Sequence, residues 1–155
     1  IRLDMFAAVG ANAVAIPSTE PYAALQQGVV NGQENPLALI SKASFANVQE
    51  YLSLSGHIWN AAPIVVSKAW WDGLDEKTQH AIQSAFDNAK VRERQLIAEG
   101  DTKLVEELKA AGMQVNEVDK PAFQQATESV WTDWEGKISP ELMAAARKIR
   151  DGSAQ

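Results

Sequence analysis

The 155-residue sequence contains no cysteine, which excludes disulfide cross-links, thiol nucleophiles and cysteine-based metal sites. It also contains no run of 18 apolar residues, so it predicts no membrane-spanning helix. Basic residues are few, because 14 Lys and Arg stand against 20 Asp and Glu, and the net charge is −6. Contacts to phosphates require clustered Lys and Arg, so the composition disfavours a nucleic-acid-binding function.

The common catalytic and nucleotide-binding motifs are absent too. The sequence has no G-x-G-x-x-G, G-x-x-x-x-G-K-[ST], G-x-S-x-G or H-E-x-x-H. Its two histidines, His57 and His80, are 23 residues apart, and neither has a second ligand at helical spacing. We therefore expect no metal site and no cofactor.

The residues that are present indicate an ordinary globular protein, with 46% hydrophobic and 22% charged residues. Charge is uneven, since residues 1–67 carry six charged groups and residues 68–155 carry 28. The first part is typical of a buried, sheet-containing layer, and the second of solvated helices. The sequence begins with Ile1 rather than Met, which predicts either a removed signal peptide or a piece of a longer protein.

Hydrophobic periodicity predicts strands alternating with helices, which is typical of an α/β fold. Strands are predicted at residues 13–16, 51–54, 64–67 and 113–118, with an extended piece at 32–35. Helices are predicted at 3–9, 22–28, 37–41, 70–71, 121–134 and 140–149. A long helix is predicted to follow Asp75 and end at Gly112, with a break near Gly100, and its length suggests that it braces separate lobes.

A few polar and aromatic residues within the apolar part are candidates for a functional site. Glu20 and Glu34 lie beside predicted turns, where they either form an acid–base pair or cap helices and pair with an Arg. His57 is either a buried, hydrogen-bonded histidine or part of a pocket lining. Trp59, in a loop or at a strand edge, is a better candidate for ligand contact than the other four tryptophans, which are predicted to pack.

Residues 8–36, AVGANAVAIPSTEPYAALQQGVVNGQENP, form one long signature. This stretch resembles the G-A-x-P-x-P-x-x-E-x-Y-x-A-L-Q-x-G-x-V-D-G-x-E-N-P segment of the solute-binding proteins of TRAP (tripartite ATP-independent periplasmic) transporters, the DctP family. Asn31 replaces the usual Asp. Residues 67–74, SKAWWDGL, are similar to the family as well. The resemblance covers essentially the whole chain but only the C-terminal half of the family, whose members are usually about twice this length.

The resemblance implies a periplasmic-binding-protein-like α/β lobe with a long bridging helix and C-terminal helices. Residues 1–67 would form part of a ligand-cleft lobe. Residues 68–155 would supply the long helix, one strand and terminal helices that pack on both lobes, and the N-terminal lobe would be absent from this chain.

The resemblance also implies ligand-binding residues. In the family an organic acid lies between two lobes, where its carboxylate meets an Arg on a strand and the Asn of the E-N-P motif. These positions fall on Arg2 and Asn35, and a guanidinium fork suits a carboxylate because it binds in a bidentate manner. Ser18 stands where many relatives have an aromatic side chain, which suggests a polar or larger acid. His57 falls on a histidine near the cleft, in a hydrogen-bond network under the carboxylate.

One departure affects the Arg2 assignment. About seven residues that separate the Arg strand from the next helix in the family are absent here, so residues 1–2 would be the remnant of that strand.

Three functions follow as alternatives. The first is a periplasmic solute-binding protein, without catalysis, that captures a small organic acid and delivers it to TRAP membrane subunits. The second is a small α/β interaction or dimerisation module, in which the apolar face left by an absent lobe pairs with another copy. The third is an enzyme that uses Glu20, Glu34 and His57.

Overall fold

The computed structural model describes residues 1–59 and 62–152, which are mostly helical and include one pair of strands. In chain order the elements are α1 (Arg2–Ala8), α2 (Pro21–Gln26), α3 (Leu37–Lys42), a 3-10 turn (Phe45–Asn47), β1 (Tyr51–Leu54), α4 (Lys68–Asp72), α5 (Glu76–Ala110), β2 (Gln114–Glu117), α6 (Lys120–Ala126), α7 (Glu128–Glu135) and α8 (Pro140–Arg150). These elements form two compact units. We call Pro21–Asn116 the central unit, and we call Ile1–Glu20 with the described residues from Glu117 onward the terminal unit.

The core of the central unit lies where α2, α3, β1 and the C-terminal end of α5 meet. Apolar side chains that recur at helical spacing on α3 pack against α5. The buried cluster consists of Leu25, Ile40, Phe45, Leu52, Leu108 and Met113. This core fixes the ends of the segments between the elements, and the candidate site is on those segments.

The two strands of the central unit pair in parallel. The backbone N–H of Gln114 donates to the carbonyl of Glu50 at 2.8 Å, and the Ser53 hydroxyl donates to the Asn116 side chain at 3.0 Å. Residue numbers therefore increase in the same direction along both strands, from Glu50 to Ser53 and from Gln114 to Asn116, whereas in an antiparallel pair one would decrease. Parallel strands need a long crossover connection, and α4 and α5 lie within it.

Helix α5 begins at a side-chain cap, as predicted. The Asp75 carboxylate accepts a hydrogen bond from the Thr78 backbone N–H at 2.9 Å and one from the Thr78 hydroxyl at 2.8 Å. These bonds favour the charged carboxylate and hold the pKa of Asp75 below its usual range. The helix continues through Gly100, so the predicted break there is wrong.

The C-terminal end of α5 is a Schellman motif, which needs a glycine. Gly112 has a φ of +100°, its N–H donates to the Lys109 carbonyl, and the Met113 N–H donates to the Leu108 carbonyl. Leu108 and Met113 are both buried, so the motif also closes an apolar contact. Gly112 therefore directs the chain from α5 into β2.

In the terminal unit, α1 packs against α7. The Trp134 indole N–H donates to the Asp4 carboxylate at 2.9 Å, and the N-terminal amino group lies 3.1 Å from the same carboxylate. These hydrogen bonds, that of Trp134 first, lower the pKa of Asp4. Val130 of α7 and Met143 of α8 are buried in this unit.

Basic residues of α8 stack on an aromatic side chain of α7. The guanidinium groups of Arg147 and Arg150 lie 5.6 Å and 5.1 Å from the centre of the Trp131 ring. The carboxylate of Glu128 pairs with both, at 3.7 Å and 2.8 Å. The last two helices are thus joined by packing and charge together.

The strand predictions were correct where a partner strand exists. Residues 51–54 and 114–117 form β1 and β2, as predicted. Residues 13–16 and 64–67 are not strands. The piece at 32–35, which was predicted only to be extended, belongs to no helix or strand. An apolar segment becomes a strand only by hydrogen bonding to a neighbour, and the sheet of the described residues has only two members.

Two further predictions are corrected. Arg2 is not on a strand, because α1 begins at Arg2 and its first turn closes with the Met5 N–H donating to the Ile1 carbonyl. The helix predicted at 121–134 is two helices that meet at Thr127, whose hydroxyl donates back to the Phe123 carbonyl at 2.9 Å. Within residues 1–59 and 62–152, none of the helices combines the length and the apolar character that crossing a bilayer requires.

Candidate ligand-binding site

The polar segment between α2 and α3 is fixed at both ends. Helix α2 is followed by Gly28, whose φ of +71° reverses the chain direction. At the other end Pro36 is extended, with a φ of −61° and a ψ of 148°, and it begins α3. A residue before proline is kept out of the helical region, so Asn35 is extended too. Gln33, Glu34 and Asn35 are each half-buried.

The Asn35 side chain is hydrogen-bonded to a neighbour on the same segment. Its Nδ2 donates to Oε1 of Gln33 at 2.5 Å. A primary amide has two N–H donors and one carbonyl acceptor, so this bond uses one donor of Asn35. The second N–H lies on the same edge of the amide and is suited to an acceptor such as a carboxylate oxygen.

Glu34, between these two residues, reaches a different partner. Its Oε2 lies 3.5 Å from Nε2 of His57, and the two side chains are 25% and 17% exposed. Nδ1 of His57 lies 2.6 Å from the Ser55 hydroxyl oxygen. In the tautomer with its proton on Nε2, Nδ1 of the ring accepts from Ser55, and the approach of Nε2 to Glu34 lacks hydrogen-bond geometry. We call Glu34, Ser55 and His57 the polar anchor.

The polar anchor and the Gln33–Asn35 pair hold the segment in different ways. Successive residues of an extended chain point to opposite sides, which agrees with Gln33 meeting Asn35 while Glu34 reaches His57. The structure therefore places His57 against Glu34, beside the segment that carries Asn35.

The other predicted ligand-binding residues lie elsewhere. Trp59 belongs to the central unit and is 83% exposed. Arg2, in the first turn of α1, and Ser18, in the segment after it, belong to the terminal unit and are exposed. A role for these three residues in ligand binding stays a prediction.

The residues of the enzyme alternative are only partly assembled. Glu34 and His57 are in contact, whereas Glu20 is exposed and belongs to the terminal unit. Among the described residues, no group of three or more acidic or histidine side chains is arranged to hold a metal ion.

Two residues of the site were missed by the sequence analysis. Gln33 lies two positions before Asn35, and Ser55 lies two positions before His57. A spacing of two in an extended segment places side chains on one side, so this spacing was the available signal for Gln33. It was no signal for Ser55, because Gly56 between Ser55 and His57 has a φ of +55°.

A separate surface groove of about 410 Å³ lies in the central unit. It contains none of the predicted ligand-binding residues. Lys68 and Asp72 form an ion pair of 2.5 Å at its wall. The groove is lined by Ile64, Val66, Lys68, Trp71, Asp72, Gln83 and Phe86.

Comparison with known proteins gives a family match and close structural likenesses. The family model described as bacterial extracellular solute-binding protein, family 7 (DctP), matches residues 1–137. The 2,3-diketo-L-gulonate-binding periplasmic protein YiaO of Escherichia coli (strain K12) is 34% identical over 127 residues, which cover 81% of this chain and 39% of YiaO.

Two solved structures are similar over nearly the whole chain. A TRAP periplasmic solute-binding protein from Polaromonas sp. JS666, bound to D-erythronate, is 32% identical with a TM-score of 0.83, covering 93% of this chain and 48% of that one. Another, from Roseobacter denitrificans OCh 114 with bound L-galactonate, is 32% identical with a TM-score of 0.77. The match covers 95% of this chain and 48% of that one. These likenesses confirm the predicted α/β class with its long helix and C-terminal helices. The chain spans about half the length of these solved relatives, and less of YiaO.

Proposed function

This chain belongs to family 7 of the bacterial extracellular solute-binding proteins, the DctP family, and from that premise we propose that the protein containing it binds a small organic acid in the periplasm and passes it to TRAP membrane subunits. The observation that carries the proposal is the segment with Asn35, which lies within the matched region and is held by contacts within the chain. A fixed donor costs little ordering on binding.

We propose a polyhydroxylated acid as the ligand class. Relatives are named for 2,3-diketo-L-gulonate or are seen with D-erythronate and L-galactonate, which are all hydroxylated carboxylates. Asn35 would donate to the carboxylate, and Ser18 would offer a hydroxyl to the polar body of the ligand. Arg2 would supply the positive charge, and Trp59 would cover part of the ligand.

Binding of this kind needs no covalent step, so the proposal assigns no catalytic residue. The polar anchor holds the backbone beside Asn35. Closure of two lobes around the acid would exclude water and strengthen the contacts between Arg2 and the carboxylate.

The test is native mass spectrometry and calorimetry on the full-length protein that contains this chain. We expect one acid per protein, recovered unchanged after denaturation, and we expect D-erythronate or L-galactonate to bind measurably. Recovery of a converted product would favour the enzyme alternative, and the absence of binding across a panel of sugar acids would refute the proposal.

A second candidate, an interaction module, is supported by exposed apolar side chains in the central unit. Val65 is 82% exposed, and Ile64 and Val66 beside it are exposed too, as are Leu96 and Ile97 on α5. If the exposed side chains at 64–66 join two copies, the mass of the 155-residue chain in analytical ultracentrifugation will rise with concentration, and Val65→Ser will reduce that rise. A chain that stays monomeric throughout would exclude this candidate.

A further inference from the structure

The orientation of the Asn35 amide decides what this residue offers to a ligand. One edge of the amide donates and the other accepts, so rotating it by half a turn reverses its hydrogen-bonding character. In the structure the donor edge faces Gln33, because Nδ2 of Asn35 donates to Oε1 of Gln33. Rotation of Asn35 alone would place two carbonyl oxygens against each other.

The backbone around this pair is held independently of Gln33. Glu34 lies against His57, whose Nδ1 is within hydrogen-bond distance of the Ser55 hydroxyl, while Pro36 fixes the start of α3. Removing the side-chain amide of Gln33 would therefore leave the path of the segment in place. The Gln33 amide would then act on the rotation of the Asn35 side chain.

We propose that Gln33 is a positioning residue: by accepting one N–H of Asn35 it fixes the amide so that the second N–H can serve a ligand, and the site therefore prefers a carboxylate to the corresponding carboxamide. This inference rests on the proposed function. A carboxylate only accepts hydrogen bonds, so it needs that edge. A carboxamide both donates and accepts, so it can form a hydrogen bond with Asn35 in either orientation of the Asn35 amide.

The test uses three variants of the full-length protein. Gln33→Met keeps the length of the side chain and removes its amide, whereas Gln33→Glu keeps an acceptor for the N–H of Asn35. Gln26→Met is the matched control, because Gln26 is exposed on α2 in the same unit. The probes are D-erythronate, L-galactonate and their carboxamides, with dissociation constants from calorimetry. In addition, ¹⁵N relaxation of the Asn35 side-chain amide is measured without ligand.

We expect Gln33→Met to weaken acid binding about five- to tenfold, the effect of one lost hydrogen bond, and to weaken carboxamide binding less. The acid-to-amide preference should fall, and the Asn35 amide should become mobile on the nanosecond timescale. Gln33→Glu should keep that amide ordered even where its charge repels the acid. A residue with only a structural role would change the melting temperature without changing the preference.

Two outcomes separate this inference from the proposed function. If the wild-type protein binds the acids and Gln33→Met retains both the preference and an ordered Asn35 amide, the positioning role is wrong and the proposed function stands. If the wild-type protein binds none of the acids, the proposed function fails and the inferred selectivity fails with it.

Discussion

Single side chains between α2 and α3 carry most of the proposed binding chemistry. Asn35 is restrained by Gln33 and by the proline that follows it, and Glu34 is restrained by His57. A donor that is already restrained by contacts within the chain loses little side-chain entropy when a ligand binds. Substitutions in this segment should therefore act on affinity more than on stability.

Asn35→Ala should weaken acid binding by about 1–3 kcal/mol, because an oxygen of the buried carboxylate loses its donor. Calorimetry on the full-length protein measures this change. Asn31→Ala, at an exposed position of the same unit, is the control and should leave affinity unchanged. If Asn35→Ala lowers the melting temperature without changing affinity, Asn35 is only a turn residue.

Ser55→Ala should destabilise the central unit by about 1 kcal/mol, because the half-buried ring of His57 loses the partner of its Nδ1 atom. Urea denaturation measures the effect. Ser53→Ala is the matched control, since the Ser53 hydroxyl bonds to Asn116 at the surface and should matter less. Equal losses from both variants would contradict the polar anchor.

The resemblance of the sequence to a family predicted Asn35 and His57, and each lies in a polar arrangement of the structure. The partners of these residues, Gln33 and Ser55, were not predicted, because a hydrogen bond between side chains depends on backbone conformation as well as on residue type. Arg2 was placed on a strand by counting back along the motif, and a helix begins there instead.

At the scale of helices and strands, the long helix α5 has one glycine in its interior and another just beyond its C-terminal end. Gly100 lies within the helix, where a Cβ would meet nothing within 4 Å and the missing side chain only weakens the helix. Gly112 lies beyond its end with a φ of +100°, a conformation that other residues adopt at a cost.

Gly100→Ala should therefore stabilise the chain by about 0.5–1 kcal/mol, and Gly112→Ala should destabilise it by about 1–2 kcal/mol. Each variant is the control for the other, since the residues exchanged are the same. Chemical denaturation monitored by circular dichroism gives both values. Shifts of the same sign would contradict the helix boundaries described here.

The outcome for strands shows why part of the fold was beyond prediction. Residues 51–54 (YLSL) and 64–67 (IVVS) are both short apolar segments, and only the second contains β-branched residues, yet only the first becomes a strand. The difference is the presence of β2 beside β1, and that pairing joins residues more than 60 positions apart. Caps and turns were predicted better, because Asp75 and Gly112 act on the backbone next to them.

For the chain as a whole, stability should decrease in acid. Asp4 is bonded to Trp134, Asp75 to Thr78 and Asp87 to Lys90, and each bond lowers the pKa of its aspartate. Arg150 likewise lowers the pKa of Asp151. A carboxyl whose pKa is lower when folded stabilises the fold above its unfolded pKa, and this contribution is lost as the pH falls through the folded pKa.

Urea midpoints should therefore fall as the pH decreases below the ordinary aspartate pKa of 3.8. Asp4→Asn is the informative variant, since its amide oxygen still accepts from Trp134 but does not titrate. It should make the pH dependence shallower. A variant whose urea midpoint falls as steeply as that of the wild type would exclude a contribution from Asp4.

Because β1 and β2 are far apart in the sequence, β1 is synthesised well before the strand with which it pairs. Glu50 and Gln114 are 64 residues apart, and a ribosome adds about 5–20 residues each second. Once β1 has been made, roughly 3–13 seconds pass before its partner exists. During that interval the backbone N–H and C=O groups of β1 are open to strands of other nascent chains. Rapid overproduction should therefore lower the soluble yield, because many unpaired β1 strands are present at once. Slower translation between the two strands should not raise the yield, because it lengthens the interval during which β1 is unpaired.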